Sequence, residues 1–219
     1  MTLFLDSALV EDARRADKLG FVTGITTNPA LIAHMMEAGL YWQAPLQHTV
    51  EAIHALCSVF PGVVMAQLTS ANPADREAEG YRLLEIHHGQ VGLKIPSTTK
   101  NFVLARRFSS EGYIVGMTTI FSPEQVYLAC EAGVKYIFPY VNRSTRLLGD
   151  GLALVRQMRA VVDALKSPVQ ILAASIKTPK EAVDTILAGA HGLTLPLEVM
   201  LSMGQHPLSD QSIAEFNQS

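Results

Sequence analysis

The chain has 219 residues, of which 48% are hydrophobic and 17% are charged, and its formal net charge at pH 7 is -3. This length and composition suit one globular domain with a large core, so we predict a single domain over residues 1–219. No run of Lys or Arg stands out, which argues against nucleic acid and anionic membranes as partners. The first residues lack the basic region of a signal peptide, and no apolar stretch approaches the length of a membrane span. We therefore expect a cytoplasmic protein.

The elements predicted in chain order are short apolar runs that alternate with longer segments of helical periodicity. The runs predict eight strands, over residues 3–6, 22–27, 63–68, 91–95, 113–119, 136–141, 169–175 and 192–197. Segments such as 75–84 and 155–165 have the helical pattern. Ser122-Pro123 and Thr178-Pro179 each place an N-cap residue before a first-turn proline, and Gly133 marks the end of a helix.

Strict alternation of strands and helices predicts parallel strands covered by helices. Eight such strands favour a closed (β/α)₈ TIM barrel of the α/β class. An open doubly wound sheet is the alternative, but it usually carries a Gly-rich turn after the first strand, and residues 6–9 offer none. The lone Gly149-Asp150-Gly151 is weak evidence for nucleotide binding and is better read as the start of a helix.

Histidine and cysteine give no metal-binding pattern. Cys57 and Cys130 are distant in sequence, in helical segments, and we interpret them as buried thiols of a reduced compartment. His87 and His88 lie at a predicted helix end without further ligands at metal spacing. We therefore expect no metal and no cofactor.

Polar side chains follow or end most of the predicted strands, where a barrel carries its chemistry. These side chains are Asp6, Thr26, Asn28, Gln67, Lys94, Thr118, Tyr140, Arg143 and Ser175. Most of them have an ordinary structural explanation when taken singly, such as capping the next helix. Because the fold gathers these strand ends into one ring, we predict that they form one site.

Lys94, in the run VGLKIP, is the sharpest case. Leu93 and Ile95 point to the opposite face of the strand and suit contact with the helices, which directs Lys94 into the barrel. Desolvation there lowers the pKa of an amine and makes a neutral, nucleophilic lysine available. A neutral amine in a dry pocket is what Schiff-base chemistry on a carbonyl requires.

The other polar residues fit roles around such a reaction. Asp6 is a candidate carboxylate for proton transfer, and Gln67 and Tyr140 can position a water or a hydroxyl. Asn28 can orient a substrate hydroxyl, while Arg143 and Ser175 suit a phosphate. We group Thr26 and Thr118 with the substrate-binding residues.

The motifs LFLDSA, GITTNPALI, MAQL, VGLKIP, GMTT, FPYVNR, ILAASIKTP and LTLPLEV occur in this order along the chain. Together they resemble the small transaldolase family, and within it the fructose-6-phosphate aldolase branch. The resemblance implies a (β/α)₈ barrel of metal-independent class I aldolases, assembled as a homo-oligomer such as a pentamer or decamer. It also implies that Lys94 forms the Schiff base, that Asp6 assists proton transfer, and that Asn28, Arg143 and Ser175 bind substrate.

Two positions favour the aldolase branch: Tyr140 and Gln67 stand where transaldolases tend to have phenylalanine and glutamate. The chain departs from the branch at Phe138, where a small residue is usual, at Ile120-Phe121, where Val-Tyr is usual, and in a shorter C-terminal tail. On a strand, Phe138 shares the face of Tyr140, so we predict a smaller donor pocket that prefers hydroxyacetone or glycolaldehyde to dihydroxyacetone. A bulge after Tyr136 that turns Phe138 outward is the alternative.

The predicted function is therefore a class I aldolase that joins or cleaves a short hydroxyketone or hydroxyaldehyde donor and an aldehyde such as glyceraldehyde 3-phosphate. Two alternatives stay open. One is a transaldolase that moves a dihydroxyacetone unit between sugar phosphates. The other is a non-catalytic sugar-phosphate binding barrel. Lys94 in the middle of an apolar strand argues against it.

Overall fold

Eight parallel strands close into a barrel in which each strand pairs with its neighbours in sequence and β1 pairs with β8. The structure is a computed structural model that describes residues 2–36 and 46–217. The strands are β1 (Thr2–Asp6), β2 (Gly24–Thr26), β3 (Val63–Gln67), β4 (Val91–Pro96), β5 (Val115–Ile120), β6 (Tyr136–Pro139), β7 (Gln170–Ala173) and β8 (Gly192–Leu195). The predicted (β/α)₈ barrel is confirmed, and the open-sheet alternative is wrong.

The helices of the described residues surround this barrel. They are α1 (Val10–Lys18), α2 (Pro29–Met35), α3 (Leu46–Cys57), α4 (Pro73–Leu84), α5 (Thr99–Ser110), α6 (Pro123–Ala132), α7 (Val141–Leu148), α8 (Gly151–Ala164), α9 (Pro179–Leu187), α10 (Leu197–Ser202) and α11 (Pro207–Phe216). The predicted caps are present: Ser122 forms a capping box at α6, Thr178 caps α9, and Gly133 ends α6 in the left-handed conformation.

The core has two main parts, one on each side of the strands, and a third, small cluster of Ala8, Ile32 and Ala52. Residues such as Leu93 and Ile95 face the helices and belong to the large cluster between strands and helices. A smaller cluster fills the interior of the barrel and consists of Phe4, Met65, Tyr136, Phe138, Leu172 and Ala174. This alternation sends Lys94 inward, as predicted from the period of the strand.

Several predicted strand ends differ from the observed ones. β6 ends at Pro139 rather than at residue 141, because α7 begins at Val141 and Tyr140 is its N-cap residue. Tyr140 nevertheless continues the pairing as an isolated bridge to Ala174. In β5 the register with β6 shifts between Thr118 and Ile120, which places an extra residue, Thr119, in the strand.

The remaining sequence predictions concern the cysteines, the metal site and the membrane. Cys57 and Cys130 are free thiols, as predicted. Both are half-buried, so the prediction that they are buried was wrong. His87 and His88 are exposed. Within residues 2–36 and 46–217, no group of three or more His, Cys, Asp or Glu side chains is placed to hold a metal ion. No helix in this described part of the chain is long and apolar enough to cross a membrane.

Candidate active site

A cavity of about 920 Å³ opens at the carboxyl ends of the strands. Nine of the ten residues predicted for the site line it: Asp6, Thr26, Asn28, Gln67, Lys94, Phe138, Tyr140, Arg143 and Ser175. Residues far apart in the sequence meet here because parallel strands in a barrel all end on the same face. The cavity is therefore the candidate active site.

Lys94 lies at the floor of this cavity, near the end of β4, and only 4% of it is exposed. Burial lowers the pKa of its amine to about 8, while the negative charge of Asp6 acts in the opposite direction. The amine nitrogen lies 5.8 Å from the centre of the Phe138 ring. With this pKa, roughly a tenth of the amine is neutral at pH 7, far more than for a solvated lysine.

Asp6 ends β1 directly beside the end of β2, in register with Thr26. The Thr26 hydroxyl donates a hydrogen bond of 2.8 Å to Asp6 Oδ1 and lies 2.6 Å from the hydroxyl of Thr194. Burial raises the pKa of the Asp6 carboxyl, although Lys94, the Thr26 hydrogen bond and Lys177 each act to lower it. A carboxyl with a raised pKa is suited to exchange protons with a substrate.

Tyr140 lines the cavity, and its hydroxyl is hydrogen-bonded to Thr118 on β5. The Thr118 hydroxyl donates a hydrogen bond of 3.2 Å to the Tyr140 hydroxyl oxygen. Burial raises the pKa of this phenol, opposed in part by the Thr118 bond and the charge of Arg143. Tyr140 is therefore neutral at ordinary pH and able to donate its proton.

Gln67 ends β3 and pairs in register with Lys94 on β4. Its side-chain oxygen is buried and accepts no hydrogen bond from any described residue. An acceptor held next to a reactive amine in this way is free to bind a hydroxyl or a water at the cavity.

Phe138 faces the barrel interior, with 1% of it exposed, so the alternative in which a bulge turned it outward is wrong. The ring lies over Gly116 of β5, and a Cβ atom added at Gly116 would overlap Phe138 Cε2. The absence of a side chain at Gly116 therefore makes room for the ring, which forms an apolar wall beside Lys94.

Cationic side chains line the cavity after the neighbouring strands β6 and β7, a region called here the cationic rim. Arg143 in the first turn of α7 is exposed, and its guanidinium lies 4.9 Å from the centre of the Tyr140 ring. Ser175 follows β7 in the left-handed region, with φ of 61°. Lys177 lies two residues further on and also lines the cavity. This rim is suited to bind an anionic group.

The structure changes two sequence-based assignments. Thr118 was predicted to bind substrate, but it does not line the cavity and instead holds the Tyr140 hydroxyl; Thr119 lines the cavity in its place because of the bulge in β5. Asn28 lines the cavity but also caps α2, accepting a hydrogen bond of 3.0 Å from the backbone of Leu31. The sequence allowed Asn28 to be either a helix cap or a site residue, and the structure shows that it caps α2 and also lines the cavity.

Sequence reasoning missed Lys177, Thr119 and Thr194 among the lining residues. Thr194 had a usable signal, because Leu193 and Leu195 face the helices and strand alternation turns Thr194 inward. Lys177 had none, because it follows β7 in an irregular segment where no period predicts direction.

Comparison with known proteins identifies the family of this chain. Residues 3–219 match the family model described as Transaldolase/Fructose-6-phosphate aldolase. The chain belongs to this family.

Members of the transaldolase/fructose-6-phosphate aldolase family with similar sequences come from several bacteria. The chain is 34% identical over 218 residues to a protein of Prosthecochloris aestuarii named "Probable transaldolase", covering 99% of this chain and 96% of the relative. It is 35% identical over 219 residues to a protein of the same name from Thermus thermophilus, with the same coverage. A third relative of that name, from Sorangium cellulosum, is 35% identical over 216 residues, covering 99% of this chain and 95% of the relative.

Membership of this family confirms the resemblance seen in the motifs. It also identifies an enzyme of the transaldolase and aldolase kind, for which a reaction at a carbon–carbon bond fits. The family includes both a transferase and a lyase, so the choice between them depends on the residues of this site.

Proposed function

We propose that the protein is a Schiff-base aldolase that makes or cleaves a carbon–carbon bond between a short hydroxyketone or hydroxyaldehyde donor and an aldehyde. The observation that carries the proposal is Lys94, a buried amine in the cavity with a pKa lowered to about 8. A buried lysine is costly for stability, and a site that only binds sugars has no use for a neutral amine.

The reaction begins when the Lys94 nitrogen attacks the ketone carbon of the substrate. The resulting carbinolamine takes up a proton on its hydroxyl, loses water and becomes a protonated iminium. In the cleavage direction, the hydroxyl on the β carbon gives up its proton, and the bond between the α and β carbons breaks. Its electrons flow into the iminium to form an enamine, and the aldehyde leaves. The enamine then takes a proton at carbon, and water releases the ketone and regenerates the amine.

Two groups beside Lys94 are suited to the proton transfers. Tyr140 is neutral and accepts a hydrogen bond from Thr118, so it can relay a proton: it passes its own proton to a water while it takes the proton of the reacting hydroxyl. The free side-chain oxygen of Gln67 can hold that water. Asp6, with a raised pKa, can supply the proton with which the carbinolamine hydroxyl leaves as water, and it can take that proton back when the iminium is hydrolysed.

The cationic rim suggests a phosphorylated aldehyde as the second substrate. Arg143, Ser175 and Lys177 line the same cavity as Lys94. A guanidinium and an ammonium are matched to a phosphate, and glyceraldehyde 3-phosphate is an aldehyde of suitable size.

The donor pocket is narrowed by Phe138. Its ring lies against Lys94 and over Gly116, where a hydroxymethyl group of a bound donor would meet apolar carbon. A hydroxyl without a hydrogen-bond partner is unfavourable in such a place. We therefore propose that hydroxyacetone or glycolaldehyde is preferred over dihydroxyacetone.

The test of the proposed function is reductive trapping of the iminium. Borohydride added with hydroxyacetone should attach a donor-derived mass to the peptide that contains Lys94, and Lys94→Met should abolish trapping and turnover. Trapping at Lys100 or Lys177 instead would show that the nucleophile has been assigned to the wrong residue. Binding of sugar phosphates without any trapping or turnover would favour the non-catalytic barrel.

A transaldolase is the second candidate, and the names of the similar bacterial proteins favour it. The presence of Tyr140 and Gln67 supports the aldolase instead, since these residues supply a phenol and an amide to assist release of free ketone. Fructose 6-phosphate given without an acceptor aldehyde separates the two. An aldolase releases free dihydroxyacetone in every turnover, whereas a transaldolase releases little until an acceptor is added.

A further inference from the structure

Glu79 of α4 is a carboxylate that the proposed reaction does not use, and only 2% of it is exposed. It accepts hydrogen bonds from the backbone of Thr69 (2.9 and 3.1 Å) and of Ser70 (2.8 Å), and from the Thr69 hydroxyl (2.9 Å). The salt bridges found among the described residues do not include Glu79. A carboxyl group buried among neutral donors is costly to desolvate, so its presence here points to a positioning task.

The segment that Glu79 holds is the short loop between Gln67 and α4. Every residue of this loop, 68–72, has a hydrogen bond. The first, Leu68, donates its N–H to the carbonyl of Lys94 at 3.0 Å. Glu79 holds the next two, and the last, Asn72, caps α4 by accepting from the backbone of Ala74 at 3.0 Å.

Arg76, one turn before Glu79 on α4, holds the remaining loop residue and extends the contacts to the next strand. Its guanidinium donates to the carbonyl of Ala71 at 3.0 Å and to the side-chain oxygen of Asn101 at 2.6 Å. Asn101 is buried, with 2% exposed, and its side-chain nitrogen donates to the carbonyl of Pro96 at 2.7 Å. Pro96 has no N–H to pair, so this bond helps to fix the end of β4 just after Lys94.

We propose that Arg76, Glu79 and Asn101, here called the α4 clamp, position the Gln67 side chain relative to the Lys94 amine. The clamp joins the backbone that follows Gln67 to the backbone that follows Lys94, and these two residues are partners in the strand register. None of the three clamp residues lines the cavity, so each acts through the strand ends and not on the substrate.

This inference rests on the proposed function in one respect, because Gln67 is expected to hold the water used in proton transfer. The readout is therefore the exchange of donor α-protons with D₂O. The iminium loses a proton from the donor carbon to solvent, and the enamine takes back a deuteron, with no acceptor aldehyde needed. Proton NMR of hydroxyacetone measures the rate at each donor concentration.

Glu79→Gln keeps the shape of the side chain but puts an NH₂ group opposite backbone N–H donors. We expect kcat for exchange to fall by about ten-fold, which is within the range for one acid–base contact, while KM changes by less than about two-fold. Glu77→Gln is the matched control, since Glu77 is two residues away on the same helix and pairs with Arg107 at the surface. This control should behave as the wild type.

A second readout needs no turnover. The pH dependence of labelling of Lys94 by acetic anhydride, followed by peptide mass analysis, gives the midpoint for loss of its proton. Loosening the clamp admits water to the strand ends, so in Glu79→Gln the midpoint should rise by about half a pH unit or more. If the wild type shows neither trapping nor exchange, the proposed function fails. The labelling midpoint of Lys94 is then the measurement that tests the clamp.

The clamp is overturned if Glu79→Gln matches Glu77→Gln in exchange, or in labelling midpoint where exchange is absent. Thermal melts followed by circular dichroism establish that each variant is folded at the assay temperature. If Glu79→Gln is not folded at that temperature, Arg76→Gln is tested in its place. The expected changes in exchange rate and labelling midpoint have the same direction, and the same result would overturn the proposal.

Discussion

Phe138→Ala is expected to raise kcat/KM for dihydroxyacetone relative to hydroxyacetone. The two donors differ by one hydroxyl group, and the Phe138 ring presents only carbon to the cavity beside Lys94. Alanine opens the space now filled by the ring beside Lys94 and Gly116, which lets a water reach the extra hydroxyl.

The magnitude follows from the cost of leaving a hydroxyl unpaired, roughly 1–3 kcal/mol. Since about 1.36 kcal/mol corresponds to a factor of ten in rate, the ratio of the two kcat/KM values should change by roughly 5- to 150-fold. Removing the ring also destabilises the barrel interior, by about 3–5 kcal/mol for a buried phenylalanine, so the variant must be tested below its melting temperature.

The assay measures kcat/KM for hydroxyacetone, glycolaldehyde and dihydroxyacetone in the wild type and in Phe138→Ala. Phe4→Ala is the matched control, because Phe4 is equally buried in the same inner cluster but does not line the cavity. The control should lose stability and keep the wild-type ratio. A ratio that is unchanged in Phe138→Ala, or changed equally in Phe4→Ala, would refute the reasoning.

Three further predictions concern the other groups of the site. Tyr140→Phe should slow aldol cleavage by about 10²-fold and leave borohydride trapping of the donor intact, because only the hydroxyl is lost; an unaltered cleavage rate would reduce Tyr140 to packing. Arg143→Ala should raise KM for phosphorylated aldehydes by at least about ten-fold and hardly affect unphosphorylated ones, and equal losses on both would show that no phosphate binds there. Finally, kcat/KM should rise with pH up to about 8, since the Lys94 amine is nucleophilic only after it loses its proton. A pH–rate profile that is flat across this value would contradict that assignment.

The parts of the molecule that follow regular periods could be predicted from sequence. Lys94, Leu93 and Ile95 alternate across β4 as a strand requires, which was enough to place the amine inside the barrel. Phe138 was directed inward by the same argument. Proline after a capping residue likewise located the starts of α6 and α9.

The parts that break a period could not be predicted. Thr119 adopts φ of 58°, which is unusual for a β-branched residue, and with this bulge Thr119 lines the cavity where Thr118 was expected to. The α4 clamp depends on contacts that side chains of α4 and α5 make with the loop 68–72 and with the end of β4, and neither composition nor spacing indicates such contacts. The depth of Cys57 and Cys130 depends on how helices rest against the barrel, which a helical pattern alone does not determine.

The fit of Phe138 over Gly116 constrains the order in which these two positions can be altered over generations. A barrel that acquired the phenyl ring while a larger side chain still occupied position 116 would be overpacked, because even a Cβ there overlaps the ring. Glycine at 116 acquired first would leave only a small void, a milder and more survivable defect. Ancestral or laboratory lineages that reach this pair are therefore expected to pass through glycine at 116 before phenylalanine at 138.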